Sequence, residues 1–107
     1  MATILGAKIK HLRKKKELTL EQLGKLTESS KSYIWELENS PTPPRPSVEK
    51  LSKIAVQLDV TLEYLADFEE KISEEDATDK MFYRKYLQLE TPVKEKIKKM
   101  IELWDDE

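Results

Sequence analysis

The feature that most constrains the fold is a short polar break between two apolar repeats in the first half of the chain. Residues 27–30 form the break, and Thr19 and Ser30 each stand just before a repeat, where N-cap residues are expected. Apolar residues at helical spacing predict amphipathic helices. The sequence therefore predicts two short helices that meet at a tight turn. Leu20, Leu23 and Leu26 have the spacing of a short amphipathic helix, and Ile34 and Leu37 lie on the inner face of the second helix.

Further cap residues precede further repeats on both sides of this pair. Thr3 begins a helix that ends near Lys16, while Ser47 and Thr61 begin a fourth and a fifth helix that end near Asp67. Residues 39–46 cannot continue a helix, because prolines lack the amide and restrict the preceding residue. The apolar positions of these three helices are Ile4, Leu5, Ile9, Leu12, Val48, Leu51, Ile54, Ala55, Leu58, Leu62 and Leu65.

The chain changes character after Asp67. Residues 68–79 are acidic and weakly patterned, which predicts a linker, and helical spacing resumes in residues 80–107. We thus predict an all-α protein with a five-helix domain at 1–67, an acidic linker at 68–79 and a C-terminal helical hairpin or extension at 80–107. The apolar positions of the last segment are Met81, Phe82, Tyr86, Leu87, Leu89, Val93, Ile97, Met100, Ile101 and Trp104.

Composition excludes several functional classes. The chain has no cysteine, one histidine and no Gly-rich phosphate loop, so we expect no enzyme, no cofactor and no metal site. It has no apolar run long enough for a membrane span, and we expect a cytoplasmic protein. Residues 1–60 carry 11 basic and 7 acidic residues, a net charge of +4, whereas residues 61–107 carry 8 and 14, a net charge of -6. The basic half can approach phosphates while the acidic half faces away.

The helix predicted from Lys31 to Asn39 has a face that the core does not need. With Ile34 and Leu37 turned inward, the outward side chains are Lys31, Ser32, Trp35, Glu36 and Asn39. A short helix, a four-residue turn and a second, cap-led helix have the geometry that lays one helix in the major groove of DNA. Residues near the N-terminus of the second helix should reach base edges first.

The run from Leu18 to Glu38, continued through Pro46-Ser47 and the apolar positions up to Leu65, resembles the XRE family of bacterial and phage regulators. That family carries a lambda-repressor-like helix-turn-helix, and the resemblance covers about residues 4 to 67. Two residues depart from the family pattern. Leu20 stands where many members have a glutamine that contacts phosphate, and Glu28 stands where the turn usually has glycine.

The resemblance implies roles for individual residues in binding DNA. Lys31 and Ser32 occupy its main base-reading positions, Trp35 lies one turn further on, and Ser30 and Asn39 can touch the backbone. Arg13 and Glu38 occupy positions that pair with each other and tie the first helix to the third. The complete predicted DNA-binding set is Thr19, Gln22, Ser29, Ser30, Lys31, Ser32, Trp35, Asn39 and Arg45.

Two of these roles rest on elementary chemistry, and others have competing interpretations. Thr19 begins a helix, and helix N-termini favour anions such as phosphate, while Arg45 is a cation in the proline loop. Trp35 either contacts a sugar or a thymine methyl or packs against the loop prolines. The lysines at 14–16 form either a phosphate clamp or a solvated helix end. Tyr33 and His11 are expected at the core edge or surface.

The function expected from these residues is sequence-specific regulation of transcription. We expect a homodimeric repressor that binds double-stranded DNA with the helix at Lys31–Asn39 and reads half-sites about one helical turn apart. The alternative is an antitoxin or partner-controlled regulator whose tail at 80–107 binds a second protein. The apolar stripe of that tail is typical of ordinary core or of a dimer seam.

Overall fold

The computed structural model describes residues 3–105, and all regular secondary structure within them is helical. The all-α prediction is therefore confirmed. The helices are α1 (Ile4–Lys15), α2 (Leu20–Leu26), α3 (Lys31–Asn39), α4 (Val48–Gln57), α5 (Leu62–Leu65), α6 (Glu74–Leu87) and α7 (Thr91–Asp105).

The first five helices begin at the cap residues that the sequence predicts. In each case the hydroxyl oxygen of a threonine or serine accepts a hydrogen bond from an amide in the first turn. This amide has no acceptor within the helix itself, so the cap satisfies it. Thr19 forms a reciprocal capping box, because the Gln22 side chain in turn accepts from the Thr19 amide. The five caps are Thr3, Thr19, Ser30, Ser47 and Thr61.

The core lies between α1, α2, α3, α4 and α5, and two glycines allow the closest contacts there. A Cβ atom on Gly6 would lie 2.3 Å from the carbonyl oxygen of Leu37, and one on Gly24 would lie 2.9 Å from that of Ser29. Neither position has room for a side chain, so α1 packs directly on the backbone of α3. The buried core residues are Ile9, Leu12, Leu23, Ile34, Leu37, Ile54, Ala55, Leu58, Val60, Tyr64, Leu65 and Ala77.

Three of these helices are followed by an acidic residue in the left-handed backbone conformation, which glycine usually occupies. Glu17, Glu28 and Asp59 have φ values of 57°, 57° and 58°. After α1, the amide of Glu17 donates to the carbonyl of Lys14 and that of Leu18 donates to Arg13, which is the Schellman pattern. The same pair of hydrogen bonds follows α2 and α4. The chain therefore ends three helices alike without using its two glycines.

Glu17 offers a test of the strain in these turns, since no side-chain partner of Glu17 is found among residues 3–105. We expect Glu17→Gly to raise the free energy of unfolding by about 0.5–1 kcal/mol, because the left-handed conformation costs a residue with a Cβ atom more than glycine loses in chain entropy. Urea denaturation measures the change. The control Lys14→Gly, within α1, should lower stability by about the same amount. A loss of stability in Glu17→Gly would contradict the strain argument.

Helix α6 begins inside the stretch at 68–79 that the sequence assigns to an acidic linker, so residues 74–79 are helical and the helix starts earlier than the sequence predicts. Ser73 caps α6, and Ala77 is fully buried in the core of the first five helices. The Glu74 carboxylate contacts His11 at 2.9 Å and Lys15 at 2.7 Å, and the hydrogen bond from Lys15 lowers its pKa. The acidic residues therefore form the start of a helix that packs on the core, and Glu74 pairs with basic side chains of α1.

Helix α7 follows a three-residue turn after α6 and leaves the core. None of its described residues is fully buried, although Lys94 and Ile97 are half-buried. The Lys94 ammonium lies 5.7 Å from the centre of the Tyr86 ring. Helices α6 and α7 thus form a C-terminal extension with an exposed apolar face on α7. No helix within residues 3–105 is long and apolar enough to cross a membrane.

Candidate nucleic-acid interface

The turn between α2 and α3 adopts the geometry that a glycine would usually provide, with Glu28 in its place. Two hydrogen bonds from Lys50 on α4 hold this turn, because its ammonium donates to the carbonyls of Thr27 at 2.8 Å and Glu28 at 2.9 Å. Lys53 binds the Glu28 carboxylate and lowers its pKa. The departure from the family pattern is therefore tolerated, and α3 leaves the turn as a regular helix.

The inner side of α3 is fixed by two apolar side chains and one ion pair. Ile34 and Leu37 are buried in the core. Arg13 of α1 binds Glu38 with two hydrogen bonds, from Nε at 2.7 Å and from Nη2 at 2.9 Å, and the Glu38 side chain is fully buried. Arg13 also donates to the carbonyl of Leu18 at 2.8 Å. The expected pair is formed, and it sets the orientation of α3 on α1.

The outer side of α3 is open to solvent. Four side chains, those of Lys31, Ser32, Trp35 and Glu36, border one shallow depression of about 350 Å³. Trp35 is 52% exposed. It does not line the cavity beneath the proline loop, which Leu5, Leu51, Leu65 and Phe68 line together with the loop itself. About half of the surface of Trp35 is therefore accessible to a ligand.

The N-terminal ends of α2 and α3 keep donors available beside this face. Thr19 and Ser30 use their hydroxyl oxygens as acceptors for the first turns, so each O–H can still donate outward. Gln22 uses its amide oxygen on Thr19, which leaves its NH₂ group to donate. All three residues are exposed. They form a set of neutral donors that suits phosphate oxygens.

The other predicted DNA-binding residues lie in different surroundings. The Ser29 hydroxyl is engaged with Thr27 inside the turn, at 3.2 Å. The Asn39 side chain donates to the carbonyl of Trp35 at 3.0 Å and accepts from Lys10 at 3.4 Å, so it stabilises the end of α3. Arg45 is exposed on the proline loop. Ser29 and Asn39 would have to exchange these bonds in order to contact DNA through their side chains.

The basic run at the end of α1 is divided between two environments. Lys15 pairs with Glu74 of α6, and Lys16 pairs with Asp59 after α4, whereas Lys14 is exposed. The ion pairs do not fit a clamp made by the whole run. His11 is exposed and contacts Glu74, and Tyr33 is half-buried with a pKa raised by burial. Both therefore lie where the sequence predicts them, at the surface and at the core edge.

Lys50 is the residue of this site that sequence reasoning did not find. Its ammonium closes a turn that lies more than twenty positions earlier, and it also lies 6.0 Å from the centre of the Tyr33 ring. The only signal in the sequence is indirect, namely that a non-glycine residue at Glu28 requires support for the carbonyls of the turn. Nothing in local spacing indicates which helix supplies it.

Comparisons with known proteins agree with this geometry. The sequence profile described as helix-turn-helix matches residues 9–65. Among solved structures, SinR, the master regulator for biofilm formation, in complex with DNA is 33% identical over 60% of this chain and 100% of that chain, with a TM-score of 0.55. The N-terminal DNA-binding domain of SinR from Bacillus subtilis is 33% identical over 60% of this chain and 91% of that chain, with a TM-score of 0.54.

A third structure extends the likeness to the C-terminal helices. The SinR protein/SinI protein complex covers 97% of this chain and 100% of the matched chain, with 22% identity and a TM-score of 0.56. At that identity the likeness concerns the fold alone. No curated protein sequence gives a significant match. The matched profile and the two SinR structures of higher identity describe DNA-binding proteins.

Proposed function

This chain belongs to the helix-turn-helix family of XRE-type DNA-binding transcription regulators, and on that premise we propose that it is a homodimeric repressor that reads its operator with α3. The observation that carries the proposal is the outer face of α3, where Lys31, Ser32 and Trp35 stand exposed on one surface. The buried pair of Arg13 with Glu38 holds that face in a fixed orientation.

Within this proposal, contacts divide into positioning and reading. Thr19, Gln22 and Ser30 donate to phosphates on either side of the groove, since each keeps a free donor at a helix N-terminus. Lys31 donates to guanine O6 or N7, and Ser32 contacts the neighbouring base edge. Arg45 adds a phosphate contact from the proline loop. In this proposal the bound dimer represses transcription because it blocks access to a promoter, and the protein acts in the cytoplasm.

The dimer is proposed from the exposed apolar stripe of α7. Four apolar side chains at helical spacing are largely exposed on α7: Val93 (42%), Met100 (55%), Ile101 (54%) and Trp104 (75%). A helix with a continuous apolar face in water is usually covered by another helix. We propose that two chains pair through α7 and that their two α3 helices lie on one face of the duplex, about 34–36 Å or a multiple of it apart, which is the spacing of half-sites in helix-turn-helix dimers.

The alternative is that the same stripe binds a second protein and thereby controls the regulator. SinR, which is similar to this chain, is found in complex with SinI. Co-purification of a different protein through residues 80–107, with loss of DNA binding on addition of that protein, would favour a partner-controlled regulator or antitoxin. A symmetric dimer of the purified chain alone would favour the homodimer.

The reading role of α3 is tested by Lys31→Ala and Ser32→Ala. Each variant is expected to bind the selected operator about 5- to 100-fold more weakly and to lose preference at one position, because a good base contact discriminates by about 1–3 kcal/mol. Fluorescence anisotropy on operator and scrambled DNA measures both effects. The control Lys80→Ala removes a charge of the same sign from α6, at a position outside α3, and should leave sequence preference intact. Unchanged affinity and preference in both α3 variants would show that another surface reads DNA.

A further inference from the structure

Glu36 is an acidic side chain on the face of α3 that should meet a polyanion. It is exposed and borders the same depression as Lys31, Ser32 and Trp35. Among residues 3–105, no basic group lies within ion-pair distance of its carboxylate. Lys31 lies five positions earlier, which is not the spacing of neighbours on a helix. The carboxylate therefore has its full hydrogen-bonding capacity available to a ligand.

A free carboxylate at this position is unfavourable unless it finds a donor. The DNA phosphates repel the Glu36 carboxylate, and insertion of α3 into the groove removes water from it. The exposed ring of Trp35, the preceding residue, excludes further water. The major groove offers hydrogen-bond donors at two places only, the N4 amine of cytosine and the N6 amine of adenine. Adenine places its N7 acceptor beside that amine, and N7 would face the carboxylate. Cytosine has no such acceptor on its groove edge.

We infer that Glu36 is a specificity-determining residue, which accepts a hydrogen bond from the N4 amine of one cytosine in each half-site and so selects a G·C pair there. The inference rests on the proposed function, because it requires α3 to lie in the major groove. It adds a selected base pair to those contacted by Lys31 and Ser32. The role of Glu36 is then opposite to that of the basic residues on this face, since its carboxylate lowers the affinity for DNA that lacks the cytosine.

The test compares DNA selected from random pools by the full-length protein and by Glu36→Gln. Glutamine has the same shape without the charge and suits adenine, to which it can bind through N6 and N7. We expect one conserved cytosine per wild-type half-site to change to adenine in the variant, with the other positions retained. Affinity of the variant for the wild-type site should fall about tenfold. Affinity for scrambled DNA should rise, because a negative charge is lost near phosphates.

The control is Glu21→Gln on α2, which removes an equal charge from an exposed position outside α3. It should raise affinity for all sequences alike and leave the selected sequence unchanged. The same behaviour in Glu36→Gln would overturn the inference, since it would show that Glu36 only repels DNA. If the wild-type protein selects no sequence at all, the proposed function fails, and the inference fails with it. Thermal melting should be nearly equal in all three proteins, because both glutamates are exposed and the pair of Glu21 with Lys25 is a weak surface pair.

Discussion

Replacement of Glu38 by alanine is expected to lower the free energy of unfolding by about 3–5 kcal/mol, because it leaves the Arg13 guanidinium nearly buried without its carboxylate. Arg13 would keep one hydrogen bond, to the carbonyl of Leu18, and would lose two charge-assisted ones. Small domains have only about 5–15 kcal/mol in total. A large part of the population should therefore unfold at moderate temperature, as urea and thermal denaturation followed by circular dichroism would show.

The double variant Arg13→Met with Glu38→Leu is the control for this prediction. It replaces both charges by apolar side chains and leaves no buried charge, so it should recover much of the lost stability. The matched surface variant Glu63→Ala breaks the exposed pair with Arg84 and should cost less than about 1 kcal/mol. A loss below about 1 kcal/mol in Glu38→Ala would contradict the view that this pair fixes α3 on α1.

The second large effect is expected from charges placed on the α7 stripe. Ile101→Glu together with Trp104→Glu should convert the proposed dimer to a monomer, since two charges would enter an apolar contact. Binding to the full operator should weaken by about 100-fold or more, because the second half-site would no longer be held at high effective concentration. Sedimentation velocity and anisotropy measure the two effects on the same protein.

The matched control for the stripe is Lys98→Gln with Lys99→Gln, on the polar side of α7. It changes the net charge of this helix by the same amount as the stripe variant, and the proposed dimer should remain. Binding to a single half-site should be similar in the wild-type protein and in the stripe variant, because the stripe lies outside α3. A stripe variant that stays dimeric would place the dimer seam elsewhere, and a wild-type protein that is monomeric would favour the partner-controlled alternative.

The sequence predicts the parts of this fold that depend on local chemistry. Thr19 and Ser30 could be identified as caps because each one bonds to an amide only a few positions away. The start of α6 was missed because its acidic residues have the composition of a linker. Its burial depends on Ala77 and Met81 alone, and two positions are too few to define a periodicity. The contact of Glu74 with α1 joins residues about sixty positions apart, which no local pattern reveals.

The candidate site was predictable to a similar extent. The outward face of α3 follows from the inward positions of Ile34 and Leu37, so Lys31, Ser32 and Trp35 could be named in advance. The engagement of Asn39 with Lys10 could not be read from spacing, because it depends on how α1 crosses α3. The same is true of Lys50, which supports the turn from α4.

The central claim is that α3 reads DNA from a symmetric dimer, and selection from a random DNA pool by the unmodified full-length protein tests it most directly. We predict enrichment of a palindrome whose half-sites lie about one helical turn apart, with a guanine opposite Lys31, and an affinity that falls steeply as salt rises. Enrichment of no sequence, or of a site that Lys31→Ala and Ser32→Ala select equally well, would contradict the claim.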